Sequence, residues 1–144
     1  EKRKMIYEEN KLQYDDYYRL RKSVDWNNFS KEQTISALKR SLYDIVAIDN
    51  KTVVGMGRLI GDGLYYTIVD IVVMPEYQSK GIGSEMIKRI LDYVDSHTPL
   101  CGRASIQLIA DKGKESFYEK MGFKKIPHEN CGSGMRKVIR KGEI

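Results

Sequence analysis

The sequence predicts an α/β domain built on one mixed sheet. Three observations carry that expectation. Strand-like runs come first and later alternate with helices; the longest β-branched and aromatic run, residues 64–73, stops at Pro75; and a strongly amphipathic segment begins directly after a glycine pair. With 144 residues and 41% hydrophobic content, one domain spanning 1–144 is long enough to bury about two-thirds of the surface its unfolded form exposes.

Each element has its own signal. Met5-Ile6-Tyr7-Glu8 reads as a short first strand, and Leu12, Tyr17, Leu20 and Val24 recur behind it at loose helical spacing. Ser30-Lys31-Glu32-Gln33 has the form of a capping box, with Ile35, Leu38 and Leu42 on one face of the helix it starts. Ile45-Val46-Ala47-Ile48 turns at Asp49-Asn50 and pairs with residues 52–60 as a hairpin. Gly55, Gly57 and Gly61 lie within that hairpin and open no helix, so they read as structural. Ile82, Met86, Ile87, Ile90, Leu91 and Val94 mark one helical face, with Glu85, Lys88, Arg89, Asp92 and Asp95 opposite. Residues 104–110 alternate as a strand, 114–121 form a short helix with Gly122 as its C-cap, and 123–127 and 135–140 read as closing strands.

Twenty-five basic against 20 acidic residues give a net charge of +5, which favours an anionic ligand without naming it. The basic residues are scattered, with small concentrations at Lys2, Arg3, Lys4 and at Arg136, Lys137, Arg140, Lys141. No run has the length of a nucleic-acid-binding tail, so nucleic acid is not an expected partner. Two cysteines are too few for a disulfide framework, and neither a signal peptide nor a membrane-length apolar stretch is present, so a cytoplasmic protein without membrane partners is expected. Glu1 in place of a methionine points to processing or truncation. His97, Cys101, His128 and Cys131 have spacings too irregular for a tetrahedral zinc site, and no metal is expected.

The chemistry concentrates in one segment. A strand, a proline, then Gln78-Ser79-Lys80-Gly81-Ile82-Gly83 and an amphipathic helix place backbone N–H groups at a helix N-terminus with little side chain in the way. Such a place binds phosphate, and Gly81 and Gly83 let an anion approach the main chain. The P-loop ending Gly-Lys-Ser/Thr is absent, and the dinucleotide-binding pattern wants a small residue where Met86 stands.

The run from Val69-Asp70-Ile71-Val72-Val73-Met74-Pro75 through Gln78-Ser79-Lys80-Gly81-Ile82-Gly83 resembles the acetyl-CoA motif of the GNAT superfamily of N-acetyltransferases, and Phe117-Tyr118-Glu119-Lys120-Met121-Gly122-Phe123 is similar to its second signature. The resemblance covers about residues 45–123. It implies a mostly antiparallel sheet flanked by helices and splayed at a central parallel strand pair. It implies that backbone groups of Ile71, Val72 and Val73 pair with the pantetheine arm, and that the pyrophosphate sits on the amides of Ser79, Lys80, Gly81, Ile82, Gly83 and Ser84, with Gln78 where the family has Gln or Arg. Asp111 stands where many relatives have an Asn that contacts the cofactor; capping of the helix that carries Tyr118 is its other reading. Tyr118 matches the tyrosine that commonly protonates the departing sulfur.

Acetyl transfer needs a neutral amine and a proton for the thiolate. Asp70 is the candidate base: counted by twos, it shares a face with Ile68 and Val72 on an otherwise apolar strand, where an isolated carboxylate is costly and its pKa rises. The other reading of Asp70 is satisfaction of a backbone donor or attraction of the substrate ammonium. Tyr66, on the same face by that count, and Trp26, in the early loop, are candidates to wall an amine pocket. The expected reaction moves acetyl from acetyl-CoA to a small-molecule primary amine. A peptide or protein amine, or a noncatalytic coenzyme A sensor, are the alternatives, and a homodimer is left open.

Overall fold

The computed structural model describes residues 4–142 and runs β1 (Ile6–Glu9), α1 (Tyr14–Ser23), α2 (Lys31–Lys39), β2 (Tyr43–Asp49), β3 (Thr52–Gly61), β4 (Tyr65–Val73), a 3₁₀ turn (Pro75–Tyr77), α3 (Ile82–His97), β5 (Ser105–Gln107) and α4 (Glu115–Glu119). Lys2 and Arg3 of the N-terminal basic cluster lie outside the described residues. The chain divides into two compact units, Glu1–Ile109 and Ala110–Ile144; the sheet and α1 to α3 build the first, and α4 belongs to the second.

The sheet has the order β1-β2-β3-β4-β5, antiparallel throughout except for the parallel pair β4–β5. That is the expected mixed, mostly antiparallel sheet. The parallel pairing runs only from Tyr65↔Ser105 to Thr67↔Gln107, while β4 continues to Val73. The two strands therefore part company halfway along β4.

Local chemistry sets the elements. Asn50 and Lys51 both adopt left-handed backbone, φ 48° and 67°, the geometry that closes a two-residue hairpin without splaying its strands. The Ser30 hydroxyl accepts from the Gln33 N–H at 3.2 Å and caps α2 as the sequence predicts. In α1, Asp15 and Asp16 occupy the first turn and Arg21 and Lys22 the last, both complementary to the helix dipole. Tyr17 and Leu20 of α1 pack with Leu12, Val46, Met56 and Val72 on one sheet face. Helix α3 covers the other face with Ile82, Met86, Ile87, Ile90 and Val94. Gly57 lies beneath it: a Cβ there would stand 2.6 Å from Ile71 Cδ1 and 3.2 Å from Ile90 Cδ1, so a larger residue would require those side chains to shift.

One irregularity of β4 reorganises the site. Arg58 faces Val69 and Met56 faces Val72, so Asp70 and Ile71 together span the width of Gly57. The extra residue is a β-bulge, and Asp70 supplies its left-handed conformation at φ 57°. The bulge reverses the alternation of side chains. Tyr66 and Ile68, opposite Gly61 and Leu59, lie on the α3 face, and Ile71 also reaches Ile90 there. Asp70 bonds to α1 and Val72 packs in the α1 core. The expectation that Asp70 shares a face with Ile68 and Tyr66 is thus corrected, because counting by twos fails across an inserted residue.

In the second unit, Gly122 at φ 97° closes α4. Phe123 N–H bonds to the Tyr118 carbonyl at 3.2 Å and Gly122 N–H to that of Glu119 at 3.1 Å, the paired bonds of a left-handed glycine stop. The closing strands expected at 123–127 and 135–140 do not form; between them the described residues make an isolated bridge, His128↔Cys131. Alternating residues report strand propensity, but a ladder also needs a partner edge, and residues 132–142 are exposed throughout.

Two buried phenols give the fold a pH signature. Burial, then neighbouring acidic groups, raise Tyr17 and Tyr43 above the ordinary phenol range; Tyr17 donates to Asp70 at 2.9 Å and Tyr43 to Glu9 at 3.0 Å. Above pH about 10 the unfolded chain loses phenol protons that the folded chain keeps, so stability is full below that pH and falls as pH rises further. Melting temperature should therefore hold from pH 8 to 9 and drop above about 10, less steeply in Tyr43→Phe. Identical alkaline slopes in the two proteins would contradict this.

Candidate active site

The start of α3 is the stretch that the sequence marks as a candidate anion site. Ser79 and Gly81 both take left-handed backbone, φ 63° and 83°, so the chain turns sharply just before α3. Gly81 is the N-cap and supplies no side-chain bond; the first intrahelical bond runs from Glu85 N–H to the Gly81 carbonyl at 3.1 Å. The amides of Ile82, Gly83 and Ser84 precede it and have no acceptor within the helix. A Cβ at Gly81 would meet no protein atom within 4 Å, so this glycine answers to backbone conformation and to whatever approaches from outside. Lys80 stands beside the turn with its ammonium 5.5 Å from the Tyr77 ring, and the Tyr77 hydroxyl donates to Asp49 at 2.7 Å.

The half of β4 beyond Thr67 lies next to this turn in sequence and has passed the last β5 pair. Ile71, Val72 and Val73 therefore sit on the splayed stretch, and the Gln78 amide folds back to donate to the Val73 carbonyl at 2.9 Å. A thioester carrier with an extended amide-bearing arm and a diphosphate matches a free strand edge followed by a helix N-terminus.

Asp70 is not the isolated carboxylate that the sequence suggests. Its Oδ1 accepts from Arg21 at 2.6 Å, and its Oδ2 accepts from Arg58 Nε at 3.0 Å and from the Tyr17 hydroxyl at 2.9 Å. The side chains of all three charged groups are close to nine-tenths buried. Arg58 also donates to the Ala37 carbonyl and the Ser41 hydroxyl, tying the bulge to the end of α2. Such a carboxylate is an anchor: removing its charge leaves two buried guanidiniums short of a counter-ion. Asp70→Asn, which keeps the size and tolerates the left-handed backbone, should cost about 2 kcal/mol in urea unfolding. An unchanged midpoint would refute that anchoring role.

Arg21, Arg58 and Tyr17 were not among the residues the sequence singled out. A signal existed, since Arg21 falls on the apolar stripe of Tyr17, Leu20 and Val24, and Arg58 sits in an otherwise apolar strand. Trp26 is partly buried in the loop after α1 and packs on that same core, whereas Tyr66 is buried on the opposite sheet face.

In the second unit, Tyr118 is half-buried, with the Phe117 and Phe123 rings edge-on to it at 4.9 Å and 6.0 Å. Burial first, then the Asp111 carboxylate, push its phenol up to about 12. Asp111 does not cap α4: Lys114 is the N-cap, with no side-chain bond, and Glu115 accepts from the Gly113 N–H at 2.8 Å instead. Cys101 and Cys131 are free and exposed, and among the described residues no group of three His, Cys, Asp or Glu is placed to hold a metal ion. Nor is any described helix long and apolar enough to cross a membrane.

Comparison with known proteins shows the family and the fold. The family model described as acetyltransferase (GNAT) domain matches residues 15–139. The uncharacterized N-acetyltransferase ycf52 of Pyropia yezoensis is 32% identical over 110 residues, 73% of this chain and 61% of that protein, so the chain spans less than two thirds of that relative's length. A GNAT-family acetyltransferase from Streptococcus pneumoniae is 30% identical, with 96% of this chain and all of that one covered and a TM-score of 0.79. A GNAT-family acetyltransferase from Brucella melitensis in complex with acetyl-CoA shares the fold at 21% identity and a TM-score of 0.61, over 85% of this chain and 84% of its own.

Proposed function

The chain belongs to the GNAT acetyltransferase family, and we propose that it moves an acetyl group from acetyl-CoA to a primary amine by direct attack in a ternary complex, with residues 1–144 acting as one domain. One observation carries the reading: the left-handed turn at Ser79 and Gly81 presents first-turn amides of α3 directly after the stretch of β4 that has left β5. The diphosphate rests on amides of residues 79–84, Gln78 lines the approach, and backbone groups of Ile71, Val72 and Val73 pair with the pantetheine arm. The Brucella relative that holds acetyl-CoA supports this choice of donor.

The acceptor arrives as an ammonium and must first lose a proton. Asp70 is engaged by two guanidiniums and a phenol, so ordered water takes that proton. The amine nitrogen then forms a bond to the thioester carbonyl carbon, and the carbon–sulfur bond breaks. The nitrogen gives up its second proton to water, the departing thiolate takes a proton from the Tyr118 hydroxyl, which solvent restores, and the products are the amide, the free thiol and one net released proton. Asp111 acts on this step by raising the Tyr118 phenol. The acceptor is a small molecule met by Trp26 and its loop, in the cytoplasm.

The test is a calorimetric titration with acetyl-CoA followed by thiol release against a panel of amines and peptides. Saturable binding with turnover on at least one amine is the expected result. Binding without turnover on any of them would replace the enzyme with a coenzyme A sensor.

A further inference from the structure

We propose that Arg21 is a positioning residue that ties the loop between α1 and α2 to the bulge of β4, holding the acceptor side of the reaction in register with the strand that takes the donor. Its meaning for catalysis rests on the acetyl-transfer reading, but its geometry does not.

Arg21 reaches in two directions at once. One terminal nitrogen donates to Asp70 Oδ1 at 2.6 Å, and the other donates to the carbonyl of Asn27 in the loop. The guanidinium carbon lies 5.2 Å from the Trp26 ring and 5.1 Å from Phe29, with Tyr17 at 5.6 Å. A planar cation can stack on aromatic faces and bond through its edge together, which an ammonium cannot. The loop backbone closes on the same residue, because Trp26 N–H donates to the Arg21 carbonyl at 3.0 Å. The Nε–H of Arg21 is the one buried side-chain polar atom among the described residues without a hydrogen-bond partner. Its orientation is therefore set by the two ends it joins and by the rings.

The two arginines that meet at Asp70 divide the work. Arg58 holds the end of α2 through Ala37 and Ser41, whereas Arg21 holds the stretch that carries Trp26 and Phe29. The opposite face of the sheet is filled by α3 against Gly57 and Ile71, so an amine meets β4 from the side where this loop lies. Phe29 is 55% exposed while its ring sits against a fixed guanidinium, which makes it a rigid aromatic surface at that approach.

The chain has one tryptophan, Trp26, so its fluorescence reads this loop alone. In the ligand-free protein, Arg21→Lys and Asp70→Asn should each raise acrylamide quenching of Trp26 about twofold, and the double variant should show no more than the larger single effect, since both cut one connection. With acetyl-CoA, Arg21→Lys should keep the donor dissociation constant within about threefold while the KM for the amine rises about tenfold. Wild-type quenching in both single variants, or additive effects in the double, would overturn the proposal. Failure of acetyl-CoA to bind the wild-type protein would instead defeat the acetyl-transfer reading, and the ligand-free quenching would still decide the role of Arg21.

Discussion

Gly81→Asp is expected to weaken acetyl-CoA binding about a thousandfold. A carboxylate about 4 Å from a diphosphate, at the effective dielectric of a protein surface, is opposed by about 4 kcal/mol, and each 1.4 kcal/mol is a factor of ten. Protein atoms do not forbid the substitution, because a Cβ at Gly81 has nothing within 4 Å. The folded state pays mainly for left-handed backbone at φ 83°, about 1 kcal/mol for a residue that visits that region readily. Gly81→Asn separates the two contributions, since it carries the conformational cost without the charge and should lose at most about fivefold in affinity. Calorimetry on the three proteins reads the result directly. Wild-type affinity in the aspartate variant would mean that no diphosphate lies at the start of α3.

Tyr118→Phe is expected to lower kcat about a hundredfold and leave acetyl-CoA affinity unchanged. General acids contribute about 10² to 10⁴ in rate, and a raised phenol puts Tyr118 at the low end of that range. A phenol pushed up to about 12 is protonated at every pH where the enzyme works, so the donor is always ready. The same shift makes it a weaker acid than a thiol, whose ordinary pKa is about 8.5, so in the proposed step it would stabilise the departing sulfur more than drive full transfer. Single-turnover thiol release measures the step, and the dissociation constant from calorimetry provides the comparison. Turnover equal to wild type would remove Tyr118 from the mechanism.

Local chemistry was legible residue by residue. The Ser30 cap, the hairpin turn, the Gly122 stop, the amphipathic α3 and the glycine-bearing turn before it all depend on neighbours within a few positions, and the structure has them where the residues place them, except that the turn falls at Asn50-Lys51, one residue beyond the expected Asp49-Asn50. The glycine-bearing turn belongs to this class because the donors it would offer are backbone amides, whose arrangement follows from local φ and ψ. What needed the folded chain was every feature that joins distant segments. The bulge at Asp70 arises from the register between β3 and β4, and it moved Tyr66 and Ile68 across the sheet from Asp70. The partners of that carboxylate come from positions 49 and 12 residues away, so no periodicity could announce that the apparent lone acid is held by Arg21 and Arg58. The strands expected at 123–127 and 135–140 failed for the same reason. Alternation is a property of a segment, whereas a ladder and a neutralised buried charge are properties of a pair, and the partner is supplied only by folding.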